Sequence, residues 1–132
     1  MVKKFNFSVK VYYEDTDSGG VVYYANYLKF LERARTEAIY SLGLTNSELL
    51  NKNGILLIVK SCYIEYKKPA KLEDNLDVIS EVVSFTKTSF VMKQSILRKN
   101  EIISIADVHL VAVDQNGKPS KIPDELKQKF DD

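Results

Sequence analysis

The sequence has a single cysteine and no excess of charge of one sign. Because Cys62 is the only cysteine among 132 residues, no disulfide can form within the chain. Nineteen basic and 18 acidic residues give a formal net charge of +1, whereas nucleic-acid-binding domains usually carry a clear basic excess. No stretch approaches the roughly 20 apolar residues of a membrane span, and the N-terminus has no signal-peptide core. We therefore expect one domain over residues 1–132, in the cytoplasm, with no nucleic-acid partner and no stable membrane insertion.

Cysteine and histidine, the residues with thiol and imidazole side chains, each occur only once. Cys62 lies in an apolar, strand-like run, so we predict a buried structural cysteine. His109 is the only histidine, and a lone strand histidine is usually structural or exposed, so we assign it no catalytic role. The sequence gives no reason to expect a metal or another cofactor.

Hydrophobic periodicity predicts a strand, two helices, four strands and a last short helix. The first strand covers 5–13, the long helix 24–42, and a short helix follows the Thr45/Glu48 capping box. The later strands cover 55–66, 76–85, 89–98 and 102–114, and a helix begins near Pro123. Short links between successive strands imply an antiparallel sheet, on which the long helix must bury its apolar stripe. The pattern itself predicts no more than this α+β class.

The segment between the first strand and the long helix is rich in acids, glycines and tyrosines. Its acids are Glu14, Asp15 and Asp17, and Gly19 and Gly20 follow them. It is open to interpretation as a solvated turn, but the tyrosines at 12, 13, 23, 24 and 27 favour a pocket. A carboxylate beside the unpaired N–H groups of a helix N-terminus can activate water or attack a carbonyl while the N–H groups stabilise the oxyanion.

The same segment resembles the YbgC-type acyl-CoA thioesterases of the wider 4-hydroxybenzoyl-CoA thioesterase family. The resemblance is carried by Tyr12-Tyr13-Glu14-Asp15-Thr16-Asp17, Gly19-Gly20-Val21-Val22-Tyr23, Ala25-Asn26-Tyr27 and Glu32-Arg33-Ala34-Arg35-Thr36-Glu37. It is dense over residues 8–40 and continues more weakly to the C-terminus. It implies a hot-dog fold, a curved antiparallel sheet wrapped around one long central helix, with the active site at a subunit interface.

The resemblance also implies site residues. The catalytic aspartate of the family falls on Asp17, and the oxyanion donors fall on backbone N–H groups near Tyr24. YbgC-type proteins usually carry a histidine where this chain has Tyr24, so we expect the backbone N–H of Tyr24 to act rather than its ring. Lysines are candidates for the CoA phosphates. The predicted substrate-binding residues are Gly20, Val22, Tyr23, Asn26, Lys68 and Lys87, although helix capping suits Asn26 well and favours a structural role for it.

The predicted activity is hydrolysis of an acyl-CoA thioester to CoA and a carboxylic acid, with Asp17 as nucleophile or general base. Two alternatives stay open: hydrolysis of acyl carrier protein thioesters, and a non-hydrolytic acyl-binding or scaffold protein linked to phospholipid or envelope machinery. A hot-dog protomer leaves an edge strand and half a pocket exposed, so we expect a homodimer or homotetramer.

Overall fold

The long amphipathic pattern forms helix α1 (Tyr24–Ser41) in the computed structural model, which describes residues 3–131. One side of α1 buries Phe30, Leu31, Ala34 and Ala38. Because the alanine side chains are small, the helix can lie close to the sheet beneath it. None of the helices in residues 3–131 is long and apolar enough to cross a bilayer.

Five strands form the sheet against which α1 packs. They are β1 (Lys4–Lys10), β2 (Leu56–Tyr66), β3 (Asn75–Phe85), β4 (Ser89–Arg98) and β5 (Glu101–Val113). All neighbours are antiparallel, in the order β1-β3-β4-β5-β2. The predicted helix on an antiparallel sheet is therefore present, and β1 and β2 are its edge strands.

Two shorter helices complete the fold. Helix α2 (Asn46–Asn53) begins where the Glu48 N–H donates to Thr45 Oγ1 at 3.0 Å, and it ends at Gly54, whose φ of 68° is left-handed. Helix α3 (Asp124–Asp131) buries Leu126 and Phe130 against the core.

A buried amide joins α1 to the sheet. Gln94 of β4 is fully buried, and its Nε2 donates to the Leu31 carbonyl and to Ser80 Oγ, both at 3.0 Å. Its Oε1 accepts a hydrogen bond from Arg35 at 3.0 Å. All of these polar groups are paired, which is what burial in an apolar interface requires.

Two local predictions are wrong. The first strand ends at Lys10 instead of residue 13, because the Tyr12 N–H donates to the Asp15 carboxylate at 2.9 Å and a 3₁₀ turn (Tyr13–Asp15) follows. Cys62 is exposed instead of buried. Its run of apolar residues forms β2, which lies at the edge of the sheet and, among residues 3–131, has a neighbouring strand on one side only.

Candidate active site

A tight turn carries Asp17 immediately before α1. Thr16 and Val22 pair as an antiparallel bridge, and the Asp17 N–H donates to the Val21 carbonyl at 2.9 Å. The Gly20 N–H closes the turn on the Asp17 carbonyl at 3.1 Å. Gly20 has a φ of 81°, which glycine adopts without a steric penalty. We call residues 16–22 the Asp17 turn.

The Asp17 side chain is exposed and held on one side only. Its Oδ1 accepts the Gly19 N–H at 2.8 Å. Its other oxygen accepts no hydrogen bond from residues 3–131, and no cation of that range lies within 4.0 Å. The carboxylate is thus oriented by the turn while one oxygen stays open to a substrate or a water molecule.

The N-terminus of α1 carries no side-chain cap. Tyr23, the N-cap residue, has extended backbone angles of φ −64° and ψ 129°, and no side chain accepts a hydrogen bond from the first turn. The first N–H groups of a helix have no partner within the helix, and the helix dipole adds partial positive charge there. The N–H of Tyr24 therefore belongs to a group of donors suited to an oxyanion.

One carbonyl joins the Asp17 turn to this helix end. The Asp15 carbonyl accepts the Tyr23 N–H at 3.0 Å and Asn26 Nδ2 at 2.9 Å. Asp15 and Asn26 are both buried. The two halves of the candidate site, carboxylate and helix end, are consequently fixed relative to each other through buried groups.

An aromatic cleft of about 270 Å³ opens beside the start of α1. It is lined by Val22, Tyr24, Tyr27, Tyr66, Lys67, Lys68 and Pro69. The Tyr66 hydroxyl donates to the Tyr24 carbonyl at 3.2 Å, and the ring centroids of Tyr66 and Tyr27 lie 5.3 Å apart. A tyrosine hydroxyl is protonated near neutral pH and can donate, and burial is the main cause that raises the pKa of the Tyr66 hydroxyl further.

The tyrosine pocket predicted from the sequence is correct only in part. Tyr24 and Tyr27 line the cleft, but Tyr12, Tyr13 and Tyr23 are 60%, 80% and 47% exposed and lie outside its lining. Tyr66, which comes from the far end of β2, takes their place. Only the fold brings it to the helix start, so the pattern around Asp17 held no signal for it.

The predicted substrate-binding residues divide into supports and exposed groups. Val22 is buried, and its N–H donates to the Ala70 carbonyl at 2.8 Å, whereas the Gly20 carbonyl accepts the Leu72 N–H at 3.0 Å. Tyr23 is 47% exposed, with its ring centroid 4.8 Å from that of Tyr24. Contact of any of them with a substrate stays a prediction.

The two candidate phosphate-binding lysines lie at opposite ends of the protomer. Lys68 lines the cleft and forms an ion pair with Glu101 at 2.6 Å. That pair is the first cause of a lowered pKa of the Glu101 carboxyl. Lys87 follows β3, whose 11 residues extend about 35 Å from the cleft end of the sheet. One copy of the chain therefore does not bring Lys87 to Asp17.

A second cavity of about 170 Å³ lies between α1 and β2, toward the other end of the helix. Arg35, Ile39, Leu57, Val59 and Met92 are among its lining residues. Arg35 lies 11 residues after Tyr24, which is about 16 Å along the helix. Within the described range 3–131, no group of three or more histidine, cysteine or acidic residues is placed to hold a metal ion.

Comparisons with known proteins bear directly on this geometry. The family model described as the thioesterase-like superfamily matches residues 11–130. The chain belongs to the thioesterase-like superfamily. Within it, the acyl-CoA thioesterase YbgC of Haemophilus influenzae is 42% identical over 127 residues, covering 96% of this chain and 93% of the relative. The predicted membership of the YbgC-type acyl-CoA thioesterase family is confirmed.

Solved structures agree on the fold of this thioesterase-like chain. A probable thioesterase from Bartonella henselae is 31% identical, with a TM-score of 0.88 over 92% of this chain and 100% of the other. A mutant 4-hydroxybenzoyl-CoA thioesterase in complex with 4-hydroxybenzoyl-CoA superposes with a TM-score of 0.90, covering 96% and 98% of the two chains at 20% identity. The predicted α+β hot-dog fold is confirmed.

Proposed function

We propose that the protein hydrolyses acyl-CoA thioesters to free CoA and a carboxylic acid, with the Asp17 carboxylate as the catalytic group. The single observation that carries the proposal is the position of Asp17, in a tight turn tied through the Asp15 carbonyl to an uncapped helix N-terminus. The relative that is 42% identical over nearly the whole chain is itself an acyl-CoA thioesterase. No metal or other cofactor enters the proposed reaction.

Two routes fit the arrangement. As a general base, Asp17 takes a proton from water, whose oxygen bonds to the thioester carbonyl carbon. As a nucleophile, Asp17 forms an anhydride with the acyl group, which water then hydrolyses. In both routes the carbon–sulfur bond breaks, a proton ends on the CoA thiolate, and the N–H groups near Tyr24 stabilise the oxyanion.

A second copy of the chain would complete this site. No strand within residues 3–131 pairs with the outer edge of β2, and this strand exposes Leu56, Ile58, Val59 and Tyr63, each at least 43% exposed. Such an edge invites pairing with another strand. Antiparallel pairing of two copies of β2 is symmetric about the middle of the strand, near Ser61, and closes a dimer.

This symmetry places the opposite ends of two protomers together. Tyr24 lies beside Tyr66 at one end of β2, and the cavity under α1 lies beside Leu57 at the other end. The dimer therefore sets the cavity of the partner subunit beside the aromatic cleft of the first. Lys87 lies near the Leu57 end of its protomer, because Ala112, which pairs with Leu57, donates its N–H to the carbonyl of the next residue, Thr88. The dimer therefore also brings Lys87 of the partner subunit toward the cleft. Lys87 thus fits a role in trans.

Sedimentation velocity tests the dimer. We expect the double variant Ile58→Lys/Tyr63→Lys to sediment as a monomer, because charged side chains block edge pairing. The matched control is Val83→Lys/Ile102→Lys, which changes exposed apolar residues away from β2 and leaves the assembly intact. A wild type that is monomeric at micromolar concentration would remove the two-copy site from the proposal.

Steady-state release of free thiol from a panel of acyl-CoAs tests the activity. We expect turnover by the wild type and a loss of at least about 100-fold in Asp17→Asn, since the amide can neither attack nor accept a proton. Asp114→Asn is the matched control, because Asp114 Oδ1 also accepts a hydrogen bond from the N–H two residues ahead, at 2.8 Å, in the turn that follows β5 of the same protomer. Equal rates for Asp17→Asn and the wild type would refute the assignment.

The same panel separates the alternatives. Competition between acyl-CoA and acyl carrier protein thioesters distinguishes the two substrate carriers. Tight acyl-CoA binding without turnover at any chain length would favour the non-hydrolytic acyl-binding protein instead. The cytoplasmic location stays a prediction.

A further inference from the structure

The Asp17 turn lies against the connection between β2 and β3, residues 67–74, which we call the 67–74 connection. The Val22 N–H donates to the Ala70 carbonyl at 2.8 Å, and the Leu72 N–H donates to the Gly20 carbonyl at 3.0 Å. These two hydrogen bonds make Val21 and Lys71 an antiparallel bridge pair. Two main-chain hydrogen bonds thus set where the turn lies, so the shape of the connection is transmitted to it.

One side chain closes the 67–74 connection on itself. Arg98, at the end of β4, donates to the Pro69 carbonyl at 3.2 Å and to Asp74 Oδ2 at 2.6 Å. The same Asp74 oxygen accepts the Lys71 N–H at 2.8 Å. The guanidinium therefore bridges two points five residues apart, between which the bonds to the Asp17 turn are made.

The surroundings of Arg98 make this bridge rigid. The Arg98 and Asp74 side chains are only 23% and 21% exposed, and Arg98 is also paired with Glu101 at 3.1 Å. The planar guanidinium presents its donors in a fixed fork that holds these groups at once, a geometry that the flexible ammonium of a lysine does not provide. No hydrogen bond or ion pair in residues 3–131 joins Arg98 to Asp17 or Tyr24.

We propose that Arg98 is a positioning residue for the proposed hydrolysis: by closing the 67–74 connection it holds the Asp17 turn in register with the N-terminus of α1. This inference rests on the proposed role of Asp17. Arg98 acts through the Ala70 and Leu72 main chain on Gly20 and Val22, and so on the direction of the Asp17 carboxylate. Small displacements of a reacting group cost rate without removing substrate binding.

The test compares kcat and KM for one acyl-CoA substrate in three variants, with thermal unfolding of each. Arg98→Met keeps much of the apolar stem and loses the donors; we expect kcat to fall about tenfold with KM changed less than about twofold. Arg98→Lys restores one contact with Asp74, and we expect it to recover part of the lost kcat. The control is Lys129→Met, because Lys129 Nζ likewise donates to a main-chain carbonyl, that of Leu42 at 2.9 Å, away from the site.

The Asp17→Asn background separates positioning from general loss of stability. If Arg98 acts through Asp17, Arg98→Met leaves the residual rate of Asp17→Asn unchanged within about twofold, since both changes remove the same contribution. An equal tenfold loss in that background would overturn the proposal, as would an unchanged kcat in Arg98→Met or an equal kcat loss in Lys129→Met. A fully active Asp17→Asn protein would instead refute the proposed function itself, and the two failures are thereby distinguished.

Discussion

Gly19 and Gly20 lie side by side in the Asp17 turn, but a methyl group has a different effect at each. A Cβ atom at Gly19 would lie 3.3 Å from Asp17 Oδ1, which is closer than ordinary van der Waals contact. A Cβ atom at Gly20 would meet nothing within 4 Å, but the φ of 81° there is strained for any residue with a side chain. The two alanine variants therefore separate crowding of the carboxylate from backbone strain.

We expect Gly19→Ala to lower activity and leave stability nearly unchanged. The new methyl group pushes the carboxylate by a few tenths of an ångström, and we expect a three- to tenfold loss of kcat, roughly, from this misplacement. Replacing glycine where φ is compatible also removes freedom from the unfolded chain, which stabilises a protein by about 0.4–1 kcal/mol. The melting temperature should accordingly stay equal or rise slightly.

We expect the opposite for Gly20→Ala, which should lower stability more than activity. The left-handed conformation costs alanine about 1–2 kcal/mol, which lowers the melting temperature by roughly 3–8 °C for a domain of this size. Gly20→Asn is the matched control, because asparagine tolerates this conformation better, so it should recover part of the loss. Thiol-release kinetics and differential scanning calorimetry on all three variants suffice. An unchanged kcat in Gly19→Ala would refute the inference that the turn aims the Asp17 carboxylate.

Two further predictions concern the supports of the Asp17 turn. Tyr27→Phe removes the buried hydroxyl that accepts the Ala70 N–H at 3.0 Å, so we expect urea unfolding to show a loss of about 1–3 kcal/mol in the free energy of unfolding. The control Tyr40→Phe, at an exposed tyrosine, should match the wild type. Equal losses in the two variants would contradict the role of the buried hydrogen bond. Burial by itself raises the pKa of the Asp74 carboxyl, but the Lys71 N–H and Arg98 together hold that pKa below its usual range. The stability from Asp74 is therefore fully present above the unfolded pKa, about 3.9, and is lost as the pH falls through the lower folded pKa. Unfolding monitored from pH 6 to pH 2 should show a smaller acid-induced loss in Asp74→Asn, and parallel curves would contradict this reading.

Local patterns in the sequence predicted the elements that depend on local interactions. The Thr45 cap, the glycine at the end of α2 and the strands β3 to β5 all lie where the pattern indicated. Each is decided by hydrogen bonds or side-chain alternation within a few residues. The predicted end of β1 is too late in the chain. The strand ends because the Tyr12 N–H donates a hydrogen bond to the Asp15 carboxylate, and this bond forms only after the chain leaves the sheet.

Identifying the residues of the candidate site required the family motif and the order of strands in the sheet, which hydrophobic periodicity does not contain. The residues alone are equally compatible with Asp17 as an acid in a solvated turn and with Asp17 as a catalytic group. The family motif is what distinguishes Asp17 from the other acids of the segment. Tyr66 reaches the cleft from β2 and Arg98 reaches the 67–74 connection from β4, so only the order of strands in the sheet brings them there. The exposure of Cys62 has the same cause, since the pattern does not say which apolar strand lies at the edge.

Single-turnover thiol release tests the central role of Asp17 most directly. Enzyme in excess over an acyl-CoA that the wild type turns over is mixed rapidly, and binding by Asp17→Asn is measured separately by calorimetry. We predict that Asp17→Asn binds the acyl-CoA with a dissociation constant near that of the wild type and releases thiol at least about 100-fold more slowly. Release at the wild-type rate by a fully occupied Asp17→Asn enzyme would contradict the account.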